Sequence, residues 1–175
     1  MSDSQRQILK GITVPGRILR FLEQHANLAF AGTRNRELVP YGHRVSGWYV
    51  EAGEGRLTAL VAEPFTANLI ESLQDNGELA LTVEEFPSHE TYQFKGRYLR
   101  HRAVQEKDLE VAKQIRERFV KSVRHIYADS LEPLLRAAFI QAPVVAVEFE
   151  VHEIYLQTPG PGAGARLVPP AEKLT

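Results

Sequence analysis

The amino-acid sequence predicts a mainly β protein: six antiparallel strands in a small closed or split barrel, with helices at the periphery. Three observations predict it. Six stretches of strand composition recur along the chain, each bounded by turn or breaker residues. Most links between them are too short for the crossover that parallel strands need, so the pairing should be antiparallel. A long pattern of three- and four-residue apolar steps precedes the last strand and adds a helix outside the sheet.

The elements follow in order. Residues 1–13 form a loose lead-in, and 14–158 the barrel domain. Val14-Pro15-Gly16 opens a helix, with Pro15 at its first position and an apolar stripe of Ile18, Leu19 and Leu22, ending near 25–27. The run 28–33 is a buried strand, and the polar turn 34–37 hands it to a second strand over 39–50 as a hairpin. The turn 51–55 carries Gly53 and Gly55, which supply positive φ. A third strand covers 56–61. Pro64 begins a helix over 65–76, with Leu69, Ile70 and Leu73 inward and Asp75-Asn76-Gly77 as its stop.

The fourth strand is 79–83 and the fifth 91–99, separated by the breaker Phe86-Pro87-Ser88. A helical insertion occupies 104–140. Its long helix, 104–127, places Leu109, Ala112, Ile115, Phe119, Val123 and Ile126 on one face, and a short helix follows over 132–139. Its other face interleaves Lys107, Lys113 and Arg116 with Glu110 and Glu117, the pattern of a solvated surface. The last strand is 144–156. The tail, 159–175, is rich in glycine and proline and sustains neither helix nor strand for long.

Composition excludes several classes. A chain of 175 residues suits one domain with a real core. Its net charge of −1 gives no global attraction to nucleic acid or to an anionic membrane. No apolar run is long enough to span a bilayer, and the polar first residues lack the apolar core of a signal peptide. There is no cysteine, hence no disulfide, thiolate metal site or Cys nucleophile, and a cytoplasmic location is expected. The six histidines (25, 43, 89, 101, 125 and 152) show no metal-binding spacing, so no metal is expected. Glu84 and Glu85 are adjacent on a strand, point to opposite faces and make no acid/base pair.

The stretch with most chemistry is the second strand. His43, Arg44, Ser46 and Trp48 on one short strand could hold a planar, anionic, aromatic ligand. Gly42 and Gly47 inside it mark a bulge or a close approach by a ligand or another backbone. The plainer alternative is a partly exposed strand with one buried Trp.

The order and spacing of these pieces resemble the pyridoxamine 5′-phosphate oxidase-like family of FMN-binding split barrels. The carriers are Leu28-Ala29-Phe30-Ala31-Gly32-Thr33, then Pro40 and Arg44-Val45-Ser46-Gly47-Trp48, then Leu73 to Leu81, and the strand Tyr92-Gln93-Phe94-Lys95-Gly96-Arg97 with its following helix. The likeness runs from about Val14 to Leu167. It implies a homodimer with two flavin mononucleotide (FMN) sites at the subunit interface. Arg44 matches the family's phosphate-gripping Arg, with His43, Val45 and Ser46 beside it. Ser46 and the backbone near Gly47 would contact the ring. The helix start that usually reads Ser-Arg-Lys is Ala67-Asn68-Leu69 here, so Thr66, Asn68 and the helix N-terminus would complete a weaker clamp. The Lys expected five residues after Arg44 is Tyr49, and Thr91 stands where a Gln often reaches the flavin. Arg166 matches the C-terminal Arg that closes the site from the partner subunit. His43 and Arg102 are candidate substitute cations.

The resemblance implies an FMN-dependent oxidoreductase with a small-molecule substrate or electron donor. The sparse cations keep two alternatives open. One is a non-catalytic binder of haem, deazaflavin or another aromatic ligand, with His43, His89 or His125 as candidate axial ligands to a haem. The other is a ligand-free structural dimer.

Overall fold

A computed structural model describes residues 12–51, 55–63, 66–124, 133 and 142–168. The chain opens with the short helix α1 (Gly16–Arg20), which loosens into a π-helical turn over Phe21–His25. Seven strands follow: β1 (Leu28–Arg34), β2 (Pro40–Arg44), β3 (Gly47–Glu51), β4 (Arg56–Ala62), β5 (Glu78–Glu84), β6 (Thr91–Ala103) and β7 (Pro143–Leu156). Helix α2 (Thr66–Asn76) lies between β4 and β5, and α3 (Glu106–Val123) between β6 and β7. The predicted 132–139 helix lies outside the described residues, apart from Pro133.

Every ladder is antiparallel, in the order β2-β1-β5-β6-β7-β4-β3. The two edge strands are halves of the predicted second strand. The Val45 N–H donates to the Ala29 carbonyl at 3.1 Å, and the next N–H, from Ser46, donates to the Leu60 carbonyl at 2.7 Å. The strand therefore changes partner across one peptide, leaving β1 and joining β4. This corrects the count of six to seven hydrogen-bonded segments, and it closes the sheet into a split barrel through residues 45–46.

β6 and β7 hold the two halves together. β6 pairs with β5 over its first seven residues and with β7 almost throughout. Register shifts at Lys95/Gly96 and Tyr98/Arg100 bend it. Gly96 sits at the first bend, where a Cβ would lie 1.9 Å from the Glu150 carbonyl oxygen, so only glycine admits this approach. The core inside the barrel is Leu57, Leu81, Phe94, Phe149 and Ile154, with Trp48 from β3. Ile18 and Leu22 from the first helix, and Leu69 and Leu73 from α2, pack on the same cluster.

α2 is tied down at its C-terminal end. Ser72 Oγ donates to the Arg34 carbonyl at 2.7 Å, the Asn76 amide donates to the same oxygen, and Arg36 pairs with Asp75 at 2.8 Å. The tail covers the edge that β7 leaves beyond β4. Leu167 N–H donates to the Ile154 carbonyl, Leu156 N–H to Ala165, and Tyr155 bridges to Arg166. A covered edge cannot recruit a strand from another chain.

Candidate functional site

α3 decides what the second strand can do. Its apolar face lies along the outer side of residues 44–49, in the opposite sense. Phe119 sits under the Arg44 guanidinium at 5.8 Å, Ala112 packs on Gly47, and Asp108 accepts a 2.9 Å hydrogen bond from the Tyr49 hydroxyl. The lengths agree: residues 108–119 rise about 16 Å at 1.5 Å per helical residue, and 44–49 about 16 Å at 3.3 Å per strand residue.

The N-terminal end of α3 is anchored by charge. Asp108 is fully buried and accepts from Arg102 at 2.6 Å and from the Gln105 N–H at 2.7 Å, as well as from Tyr49. Burial pushes its carboxyl pKa up, but the hydrogen bonds from Arg102, the Gln105 N–H and Tyr49 outweigh it and hold the value at about 2. Arg102 also reaches Glu148, which takes Arg100 at 2.7 Å. Arg102 is thus committed to structure, which corrects its candidacy as a substitute phosphate cation.

The predicted site residues do not converge on one open cleft. Arg44, Val45 and Ser46 line a recess with Ile115, Arg116 and Phe119 whose volume is only about 20 Å³. That holds about one water, and neither a phosphate nor a flavin ring. Burial lowers the Arg44 pKa to about 10. The expected ring contact near Gly47 is corrected too: a Cβ there would meet the Ala112 Cα and a Leu60 methyl, each at 3.1 Å. The residues at the predicted phosphate clamp therefore do not fit FMN as they stand.

The remaining candidates lie elsewhere. His43 points into the barrel, 5% exposed and stacked on Tyr41, and burial lowers its pKa, which disfavours the charge a substitute cation needs. Thr66 turns its hydroxyl to the Ala62 carbonyl, and Asn68 is exposed on α2. Thr91 is buried, donating its hydroxyl to the His89 carbonyl. Arg166 folds onto its own β7, paired with Glu153 and donating to the Tyr155 hydroxyl at 3.1 Å. His89 is exposed and held by Glu84 at 2.7 Å, and His125 lies outside the described residues. Among the described residues no group of three metal-ligating side chains occurs, and no helix is long and apolar enough to cross a membrane.

A different face offers room. Alternation along β1 and β5 turns Phe30, Gly32, Ala80 and Thr82 outward. Register aligns them in rows: Arg44, Phe30, Thr82, Gln93 and Tyr155 in one, and Gly42, Gly32, Ala80, Lys95 and Glu153 in the next. The second row begins with three positions that carry no side chain beyond a methyl. Over Gly32, Ala80 and Gly96 lies an open hollow of about 400 Å³, walled by Pro40, Arg34 and Lys95. That volume lies within the usual range of small-ligand sites, about 300–1,000 Å³. A wider hollow of about 520 Å³ lies on the solvent face of α3, but one helix alone lines it.

Sequence reasoning missed this face. The signal was present: small residues, Gly32 and Ala80, at the positions where alternation predicts exposure, with Gln93 and Lys95 in phase on the next strand.

No family model matches the sequence, and no curated protein matches it. Solved structures do. HupZ of Group A Streptococcus superposes with a TM-score of 0.51 at 10% identity, over 87% of this chain and 100% of that chain. An F420 reductase gives 0.48 at 10% identity, over 81% and 98%. An FMN-binding protein from Syntrophomonas wolfei gives 0.44 at 14% identity, over 78% and 81%. At 10% identity the likeness to HupZ is one of fold alone, and the fold is the antiparallel split barrel described above.

Proposed function

We propose that the protein binds a flavin-type cofactor, FMN or a deazaflavin, with its planar ring on the outer face of β2, β1 and β5. The observation that carries this reading is the bare floor of Gly42, Gly32 and Ala80 beside the 400 Å³ hollow. Three adjacent strands give a surface about 10 Å across, on which a fused ring lies flat against backbone. A flavin bound there would supply hydride or electron transfer, and the chain would supply its position and surroundings.

The same face suggests how the site is completed. Phe30, 49% exposed, stands in the neighbouring row. A second copy seated on this face would bury Phe30 and turn an open hollow into an enclosed one. Sedimentation at twice the chain mass is the expected result, and a monomer at micromolar concentration would count against it.

Titration of the purified chain with FMN, followed by flavin fluorescence, tests the ring assignment. Saturable binding is expected in the wild type and its loss in Gly32→Leu. A Cβ at Gly32 meets nothing closer than the Ala80 carbonyl oxygen at 3.9 Å, so this variant fills the hollow while the sheet stays intact. Undiminished binding by a folded Gly32→Leu would refute the location.

A further inference from the structure

The hollow over Gly32 and Ala80 is uneven in charge. Lys95 stands opposite Ala80 on one side and Glu153 on the other, at the β6 wall. Its ammonium lies 4.7 Å from the centre of the Tyr155 ring. Glu153 is already engaged, accepting from the Tyr155 hydroxyl at 2.7 Å and from the Arg166 guanidinium. Two residues on, Arg97 faces outward opposite Glu78. Glu78 is taken by Arg34 at 2.7 Å. Among the described residues, therefore, neither Lys95 nor Arg97 has a carboxylate within ion-pair distance, while the acids nearest them are paired with other arginines. The other two charged residues lining the hollow, Arg34 and Glu78, are paired with each other.

We propose that Lys95, with Arg97 beside it, is the anion-binding end of this site. The ligand is a planar aromatic ring carrying a phosphate or comparable acidic group. Its ring lies toward Gly32 and Gly42, and its acidic group lies over β6. The assignment rests on the ring-binding reading above and adds an orientation to it. It also moves the anion from the Arg44 recess, which α3 fills, across the same outer face to β6. A phosphate monoester brings about −1.5 to −2 charges at neutral pH, and two exposed cations that make no close ion pair are suited to receive it. Tyr155 supports the arrangement from below, its ring face holding the Lys95 ammonium over the sheet.

Comparing FMN with riboflavin, which has the same ring and no phosphate, tests the proposal. Both are titrated into the wild-type chain, Lys95→Gln, the double variant Lys95→Gln/Arg97→Gln, and Arg44→Gln. The wild type is expected to prefer FMN. Lys95→Gln should weaken FMN at least about tenfold, the scale of one charged hydrogen bond, and leave riboflavin within about twofold. The double variant should bind the two equally, and Arg44→Gln should keep the wild-type preference. A double variant that still prefers FMN, or an Arg44→Gln that loses the preference, overturns the assignment. Equal binding of FMN and riboflavin by the wild type overturns the anion end alone. Binding of neither overturns the ring reading and this orientation with it.

Discussion

The anchor of α3 on the barrel makes a quantitative prediction about Asp108. Its two carboxylate oxygens take two hydrogen bonds from Arg102, one from Tyr49 and one from the Gln105 N–H, at 2.6–3.1 Å. Asp108→Asn keeps the shape but turns an amide N–H₂ toward these donors and removes the charge facing Arg102. The depression of the carboxyl pKa from 3.8 to about 2 corresponds to roughly 2–3 kcal/mol at about 1.36 kcal/mol per pH unit. Breaking a buried ion pair from one side typically costs about 3–5 kcal/mol. Glu148 still partners Arg102, so a loss of about 2–4 kcal/mol is expected at pH 7. The sign with pH follows from a lowered pKa. The contribution is complete above about pH 4 and disappears as pH falls toward 2. Urea unfolding, read by the single buried Trp48, measures both. The gap between wild type and variant should be wide at pH 7 and narrow as pH drops below about 4. A gap under about 0.5 kcal/mol at pH 7, the scale of an ordinary surface substitution, or one that does not change with acidification, would refute the account of this network.

Two glycines of the same strand should respond in opposite ways. Gly47→Val must push against the Ala112 backbone and Leu60, and should cost about 1–3 kcal/mol in chemical denaturation. Gly42→Val meets nothing within 4 Å and should leave stability within about 0.5 kcal/mol. Equal losses at the two positions would show that α3 does not press on Gly47.

Much of the fold was legible because burial writes a period into the chain. β1, β4 and β5 fall on apolar runs, and Ile115, Phe119 and Val123 announce α3 by their spacing. The errors have physical causes. Nothing between Arg44 and Gly47 breaks a strand by its own propensity. The break is a change of partner from Ala29 to Leu60, which exists only once both neighbours are in place. β6 runs four residues past its expected end, through Arg100-His101-Arg102-Ala103. Charge density there argues against a strand, but β7 supplies the remedy, because Glu148 accepts from both Arg100 and Arg102. Asp108 is a charged residue whose burial the helical pattern does not announce. Its burial follows from the capping box with Gln105 and from Arg102, six residues back on another element.

For the candidate site the sequence shows residue types but not their partners. Of Gly42 and Gly47, both read as marking a bulge or a close approach, only Gly47 has a close neighbour, and a glycine does not say what approaches. At Gly47 it is the chain's own helix, whose Ala112 and Phe119 occupy the surface beside Arg44. At Gly42 it is open space, continuous with Gly32 and Ala80 across the ladder. The cations divide the same way. Arg44 and Arg102 look available in the sequence, yet one lies half-buried over the Phe119 ring and the other holds Asp108. Lys95 looks ordinary because its strand is read for its aromatics, and its value appears only when Glu153 proves to be occupied by Arg166 and Tyr155. A cation's availability depends on the acids around it as much as on its own position. On that criterion the proposed binding face is the outer β2-β1-β5-β6 surface, and the chain's own helix closes only the Arg44–Tyr49 part of the strand with the most suggestive residues.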